Sequence, residues 1–460
     1  MSKKKKNIDL SVWEDRAALC PHFELCGGCT YQKISYETQL ERKAAEVKEL
    51  LGIEEPVFEG ILPSPRETGY RNKMEFTFGD ECKGGDFSLG LHMRGSFMNI
   101  VNLTDCKLVH DDLNQIRNAV RNFMNAYYQK GQITFHNNKT HQGYLRHLLL
   151  RRAEKTGEIL AALVTSSQYP GNVINTEQSG QPDELLNDTE QSGQPDQLQI
   201  SEEALMDQFT KLLMNLSLDG KIAGILHITN DALSDTVRSD KTDILYGRDY
   251  IYDEVLGLSF KISVFSFFQT NTRGAEVLYS KARNYASCAH GMLFDLYSGT
   301  GTIAQLMSSA VDQVIGVEIV EEAVEAAREN AALNQIQNAQ FIAEDVLKAL
   351  DRLPVPDSLI LDPPREGIHP KALGKILSYG VEQIVYISCK PSSLARDLQA
   401  FRLAGYEIVK ACCVDMFPHT VHVETVCLLS NRKPDSYVHL NLKMKDYYRI
   451  KDAQKEQDKK

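Results

Sequence analysis

The sequence predicts an α/β fold: a doubly wound, mostly parallel sheet in the C-terminal half, preceded by a mainly β domain. Three observations predict it. From Gly291 onward strand-like and helix-like patterns alternate, as a parallel sheet with crossover helices requires. Between about residues 70 and 165 the pattern is instead short alternating runs separated by glycine-containing turns. The length of 460 residues, 42% of them hydrophobic, allows two or three domains with sizeable cores.

Residues 1–19 read as a tail. Lys3 to Lys6 are followed by Asn7-Ile8-Asp9-Leu10, so no apolar signal core succeeds the charge. No stretch is long and apolar enough to span a membrane, and the cytoplasm is the expected compartment. Leu40, Ala44, Val47 and Leu51 recur at helical spacing between a candidate N-cap, Ser35, and a stop, Gly52. That spacing predicts a helix over 36–51, expected to pack on the C-terminal domain. The mainly β domain is expected over 20–265, with runs such as Met74-Glu75-Phe76-Thr77-Phe78 and Leu148-Leu149-Leu150. Within it, residues 166–200 carry six acidic and no basic residues and a duplicated segment, Thr176 to Asp183 and again Thr189 to Asp196. So polar a stretch cannot bury a core, and a disordered insertion is expected.

The C-terminal domain is expected over 266–432, with a tail over 433–460. Strands are predicted near 292–297, 313–318, 339–343, 357–361 and 382–388, and helices near 301–310, 320–334, 369–379 and 392–404. Two further strands, Glu407 to Val414 and Val423 to Leu429, are joined by a short loop, which favours an antiparallel pair.

The net charge of −11 argues against uniform nucleic-acid affinity, but residues 61–152 reverse the sign, with 13 Lys/Arg against 8 Asp/Glu. The ten irregularly spaced cysteines argue against a disulfide framework and towards metal binding or catalysis. Cys389 ends the apolar run Ile384-Val385-Tyr386-Ile387 and precedes a helical pattern opened by Lys390-Pro391. Backbone dipoles at such a helix N-terminus are expected to lower its pKa and favour thiolate.

The first strand leads into Asp295-Leu296-Tyr297-Ser298-Gly299-Thr300-Gly301-Thr302, where glycines permit close approach of the backbone to a ligand. Gly299 to Ala304 also fits the G-x-G-x-x-A dinucleotide pattern, so an oxidoreductase with a dinucleotide cofactor and an iron–sulfur cluster stays open. Glu318, at the tip of the second strand, suits the ribose hydroxyls that any nucleoside-containing cofactor carries, and so does not discriminate between them. Asp362-Pro363-Pro364-Arg365 ends the fourth strand in a rigid turn poor in backbone donors, suited to holding a planar base.

Asp295 to Gly301, Asp362 to Arg365, Ser388-Cys389-Lys390-Pro391 and His422-Val423-Glu424-Thr425-Val426 resemble the RNA uracil-C5 methyltransferases, which make 5-methyluridine in ribosomal or transfer RNA. The resemblance runs from Cys20 to about Ser430. It implies a class I, Rossmann-like S-adenosylmethionine-dependent methyltransferase domain, with Cys389 as nucleophile towards carbon 6 and Glu424 as the base that removes the carbon 5 proton. It assigns Gln269, Tyr297, Glu318 and Asp362 to S-adenosylmethionine, with Asp295, Gly299 and Gly301 in the same turn. Asp345, near the end of the third strand, is an adenine partner by position alone. If the last strand runs antiparallel, Glu424 reaches the sheet edge that carries Cys389.

Cys20, Cys26 and Cys29 are spaced C-x5-C-x2-C, with Cys106 far along the chain, a pattern nearer to iron–sulfur runs than to paired zinc knuckles. Zinc stays open on spacing, and the resemblance implies a 4Fe-4S cluster; Cys82 matches no ligand position. The expected partner is RNA, 23S ribosomal RNA first and transfer RNA second, with no membrane and a monomeric chain. The target uracil must leave its stack. Phe265, Phe267 and Phe268 are candidates to fill its place, although a core stripe is expected for at least two of them. Arg71, Asn72, Lys73, Arg94, Arg146, Arg151 and Arg152 are candidate phosphate contacts. His419 and His422 read as exposed loop histidines. A non-catalytic RNA-binding scaffold is the remaining rival, opposed by the joint presence of Cys389 and Glu424.

Overall fold

A computed structural model describes residues 17–172, 200–234, 237–286 and 291–431. Helix α1 (Tyr36–Leu51) and strand β1 (Phe58–Leu62) come first. Then follow β2 (Lys73–Asp80), β3 (Phe87–His92), β4 (Ile100–Asn102), α2 (Asp111–Tyr128), β5 (Leu145–Arg152) and β6 (Glu158–Thr165). Next are α3 (Glu202–Met214), β7 (Lys221–Thr229), β8 (Lys241–Gly247) and the hairpin β9 (Tyr250–Val255) and β10 (Leu258–Ser263). The C-terminal part contains α4 (Thr272–Tyr285), β11 (Met292–Leu296), α5 (Thr302–Met307), β12 (Gln313–Glu318), α6 (Glu321–Leu333) and β13 (Ala339–Ala343). It closes with α7 (Val346–Ala349), β14 (Ser358–Leu361), α8 (Pro370–Ser378), β15 (Gln383–Ser388), α9 (Pro391–Leu403), β16 (Tyr406–Val414) and β17 (Glu424–Asn431).

The C-terminal strands form an eight-stranded sheet in the order β1-β16-β17-β15-β14-β11-β12-β13. Every strand in it runs parallel to β11 except β17, which is antiparallel to both neighbours. Alternation along β15 explains why its sequence is continuously apolar: Val385 and Ile387 enter one core while Ile384 and Tyr386 enter the other. The winding direction reverses between β11 and β14, which opens a crevice outside their carboxyl ends.

Helix α1 is capped by the Ser35 hydroxyl and stopped by left-handed Gly52, and Val47 and Leu51 bury against the same core as Leu398 and Phe401 of α9. It shares its core with strands of the C-terminal sheet. Strand β1 was not foreseen; it pairs in parallel with β16 and so belongs to this sheet although it lies among the first 62 residues.

The second sheet, β4-β3-β2-β5-β6-β7-β8, is antiparallel except for β6 and β7, which α3 connects as a crossover. Helix α2 interrupts the region expected to be β; Leu113, Ile116, Val120 and Met124 give it a buried stripe at helical spacing. Most of the expected disordered insertion, 173–199, lies outside the described residues. Its leading part is folded: Tyr169 is 2% exposed, edge-on to Tyr144 with ring centroids 4.9 Å apart. An aromatic ring there supplies what the polar repeat lacks. Among the described residues no helix is long and apolar enough to cross a membrane.

Candidate active site

The parallel strands deliver Asp295, Glu318, Asp362 and Cys389 to one edge of the sheet. Antiparallel β17 starts at that edge, with Ser388 opposite Thr425, so Glu424 stands beside the end of β15. Glu424 is 3% exposed. Burial first, and the nearby Asp362 second, push its carboxyl up to about 8, with Arg365 pulling the other way. Burial pushes Asp362 up to about 7. Asp295 is completely buried; burial, then Asp362 and Glu318, hold it well above the usual carboxylate range. Its Oδ2 accepts from the Ala304 amide at 2.9 Å, while Oδ1 has no hydrogen-bond partner among the described residues.

Cys389 corrects the expectation of a depressed pKa. Burial, then the carboxylates of Glu424 and Asp362, push the thiol up to about 11, and Arg365 offsets only part of this. The helix behind it begins with Pro391, which removes one backbone donor from the first turn, and Lys390 supplies no capping side chain. Two carboxylates and desolvation outweigh a few amide dipoles.

In the turn after β11, Tyr297 and Gly299 both take positive φ, and the Gly299 amide donates to Glu318 Oε2 at 3.1 Å. Glu318 Oε1 meanwhile accepts from the amides of Ile319 and Val320. Gly299 leaves open space, since a Cβ there would meet only Phe267 at 4.0 Å. Gly301 serves packing instead of a ligand: a Cβ would lie 2.5 Å from the Phe341 ring and 2.9 Å from Ala327. Asp345 caps α7 through its Oδ1 and the Leu347 amide, yet its charge still reaches Tyr297. The loop carrying Gln269 is pinned by Asn72, whose Nδ2 donates to the Gln269 carbonyl and the Thr272 hydroxyl, each at 2.9 Å.

Cys20, Cys26, Cys29 and Cys106 are all buried and gather at the edge of the second sheet. Arg94 Nη2 donates to the carbonyls of Phe23, Cys26 and Cys29, and Asn114 bonds both the amide and the carbonyl of Cys106. Burial raises the thiols of Cys26 to about 11 and of Cys29 to about 12, and the neighbouring cysteines add to both shifts. The charges of Cys20, Cys106 and the buried cation Arg117 act on one another, although among the described residues no three of these sulfurs lie within 4.8 Å of one another. Cys82 is exposed.

A family model described as tRNA (Uracil-5-)-methyltransferase matches residues 226–432. An uncharacterized RNA methyltransferase of Clostridium tetani is 44% identical over 414 residues, covering 89% of this chain and 83% of its own. The chain belongs to the RNA uracil-5-methyltransferase family. An uncharacterized RNA methyltransferase of Bacteroides thetaiotaomicron is 35% identical over 436 residues, covering 90% of this chain and 87% of its own. The crystal structure of the Pyrococcus abyssi tRNA (uracil-54, C5)-methyltransferase in complex with S-adenosyl-L-homocysteine is similar, with a TM-score of 0.64, 26% identity, and coverage of 88% of this chain and 86% of that one.

Within this family frame the sequence reading needs three further corrections. Arg94, Arg146, Arg151 and Arg152 are not a phosphate-facing patch. Arg94 holds the cysteine loop; Arg146 bonds the carbonyls of Asn230, Ala232 and Ser234; Arg151 bonds those of Val264 and Ser266; Arg152 pairs with buried Asp112. Phe265 and Phe267 are exposed, the latter by 67%, and only Phe268 is core. His419 is buried, and Gln39 bonds both its amide and its ring.

Tyr279 was missed. It is buried on α4, bonded to the Gln269 side chain, and its hydroxyl is raised by burial and then by Asp362, with Glu424 and Asp295 also acting on it. In the sequence it is one apolar position of a helical stripe with Ala275, Leu278 and Ala282, which marks core and nothing more.

The carboxylate cluster makes a stability prediction. Because the Asp362 pKa rises from 3.8 to about 7 on folding, the folded state holds a proton that the unfolded chain releases, and stability falls as pH climbs through that window. Asp362→Asn removes the penalty. Without cofactor, the variant is expected to match the parent near pH 4 and to exceed it near pH 8 by about 1–3 kcal/mol, discounted because the residue is only half-buried. Thermal unfolding at both pH values checks this, and an advantage independent of pH would contradict it.

Proposed function

We propose that the protein methylates carbon 5 of a specific uridine in RNA, with S-adenosylmethionine as donor, Cys389 as nucleophile and Glu424 as base. The observation that carries the reading is the meeting of Cys389, Glu424 and Asp362 at one sheet edge, from three strands far apart in sequence. Carbon 5 of uracil is too weak a nucleophile unaided. Addition of the Cys389 sulfur to carbon 6 turns the ring into an enolate whose carbon 5 can form the new bond. Loss of the carbon 5 proton to Glu424 then lets the sulfur leave and restores the ring. With its pKa near 8, Glu424 is a stronger base once ionised than an ordinary carboxylate.

The residues at this edge fit the donor. Asp295, with one buried oxygen still to be bonded, and Asp362, destabilised as an anion, suit a cationic ligand; Glu318 suits ribose hydroxyls; Gln269, Tyr297, Gly299 and Asp345 line the same crevice in this reading. Bound there, S-adenosylmethionine supplies an electrophilic methyl group.

We assign 23S ribosomal RNA as the target, because the N-terminal cysteine cluster resembles that of the bacterial large-subunit ribosomal RNA enzymes. Transfer RNA is the second reading, favoured by the similarity to the P. abyssi enzyme. Incubating the protein and labelled methyl donor with undermethylated total RNA, then mapping the labelled base, tests both. Label at carbon 5 of a ribosomal uridine supports the first and at a transfer RNA uridine the second; no label in uridine overturns the assignment.

For Cys20, Cys26, Cys29 and Cys106 we propose a 4Fe-4S cluster in a structural role, since no step above transfers an electron. Cys26→Ser is expected to lose bound iron and the visible absorbance of the cluster and to weaken RNA binding. Iron analysis and absorption spectra check it. Retained iron would remove Cys26 from the ligand set, and zinc in the purified parent would replace the cluster.

A further inference from the structure

We infer that Gln39 is a positioning residue for the base Glu424, acting through the loop 415–423 that leads into β17. The inference rests on the reading of Glu424 as base. Four elements outside the C-terminal strands hold this loop. Lys43 Nζ donates to buried Asp415 at 2.7 Å and to the Phe417 carbonyl at 3.1 Å. Asn271 donates to the Met416 carbonyl at 3.0 Å, and the Tyr70 hydroxyl to the Pro418 carbonyl at 3.1 Å. The amides of Thr30 and Tyr31, directly after Cys29, donate to the His419 carbonyl at 2.8 and 2.9 Å.

His419, which accepts from Thr30 and Tyr31, carries the last of these restraints before β17. It takes a φ of 66°, a left-handed conformation that a non-glycine residue keeps only when its surroundings enforce it. Gln39 enforces it with one side chain. Its Oε1 accepts from the His419 amide at 2.8 Å, and its Nε2 lies 3.3 Å from Nδ1 of the same residue while also donating to the Tyr31 and Ile34 carbonyls. Gln39 is fully buried on α1 and is 380 positions from His419. From His419 the chain turns tightly, with the His422 amide donating to the Thr420 hydroxyl, and enters the sheet at Glu424. The amide of Gln39 thus fixes where β17 begins, and with it the carboxylate that must meet carbon 5.

Gln39→Met keeps size and loses the acceptor. It is expected to lower kcat about 10–100-fold, the effect of displacing a catalytic group by about 1 Å, with KM for RNA unchanged. Because Cys389 is held by β15 and not by this loop, addition to carbon 6 should persist, so the variant should accumulate covalent complex on ordinary uridine RNA. A looser fold without a positioning role would lower complex and product together, and that result overturns the proposal. Glu424→Gln run in parallel separates the two layers: complex with Glu424→Gln but not with Gln39→Met refutes the positioning role alone, and complex with neither refutes the base assignment. Amide exchange in the parent protein needs no variant. The His419 amide is expected to be protected like those of β17, and exchange at the rate of an open loop overturns the proposal even if Gln39→Met does not fold.

Discussion

Replacing Cys389 by alanine is expected to reduce methyl transfer by about 10⁴-fold or more, because without addition to carbon 6 the uracil ring offers no competent carbon nucleophile. Binding should survive: among the described residues the thiol makes no hydrogen bond to the crevice carboxylates, and α9 remains anchored by Leu394, Leu398 and Phe401. The measurement is paired. RNA carrying 5-fluorouridine should form a stable covalent complex with the parent, since fluorine at carbon 5 cannot leave as a proton does, and none with Cys389→Ala. Buried Cys412, Cys413 and Cys427 serve as internal controls, being thiols in the same domain that should not react. A variant within tenfold of parental activity would remove Cys389 from the mechanism. The raised thiol pKa adds a pH statement: thiolate at Cys389 grows as pH rises towards 11, so the rate of complex formation should increase across the neutral to alkaline range.

The parts of this molecule legible in its sequence are those whose partners are near in sequence or whose chemistry is local. Ile384 to Ile387 read as a buried strand because both faces of a parallel sheet are covered, and Ser35 and Gly52 mark the ends of α1 by rules that act within four residues. The strand β1 was not legible, since its five residues gain their partner from β16, some 350 positions later. Helix α2 had a readable stripe, Leu113, Ile116, Val120 and Met124, hidden among asparagines and arginines that favour other readings one at a time. At the site, the family resemblance singled out Cys389 and Glu424, but the acidity of Cys389 could not be read. It depends on Asp362 and Glu424, which lie 27 positions before it and 35 after it and reach it only through the sheet. The arginines near the N-terminal half failed for the same reason: charge in a sequence does not say that a carbonyl inside the protein already occupies the guanidinium.

Glu424→Gln is expected to separate the two steps of the proposed mechanism, addition of Cys389 and loss of the carbon 5 proton. The amide keeps the size and much of the hydrogen-bonding of the carboxyl but cannot take the carbon 5 proton at any working pH. Addition of Cys389 should remain, and indeed become easier. Glu424 is among the groups that raise the thiol pKa, second only to burial, and a neutral amide removes that charge. Product should therefore fall by about 10³-fold or more, while a covalent protein–RNA complex accumulates on ordinary uridine RNA in the presence of the methyl donor. Denaturing gel mobility and the mass of the cross-linked peptide containing Cys389 measure it. For the parent, the same logic sets a pH limb. As the proposed base Glu424 must be ionised, burial and Asp362 push its pKa up to about 8, and the rate of release should climb as pH approaches that value from below and level off above it. In Glu424→Gln this limb should vanish. A variant that turns over at near-parental rate, or one that loses the complex along with the product, would mean that another group takes the proton or that Glu424 serves addition instead.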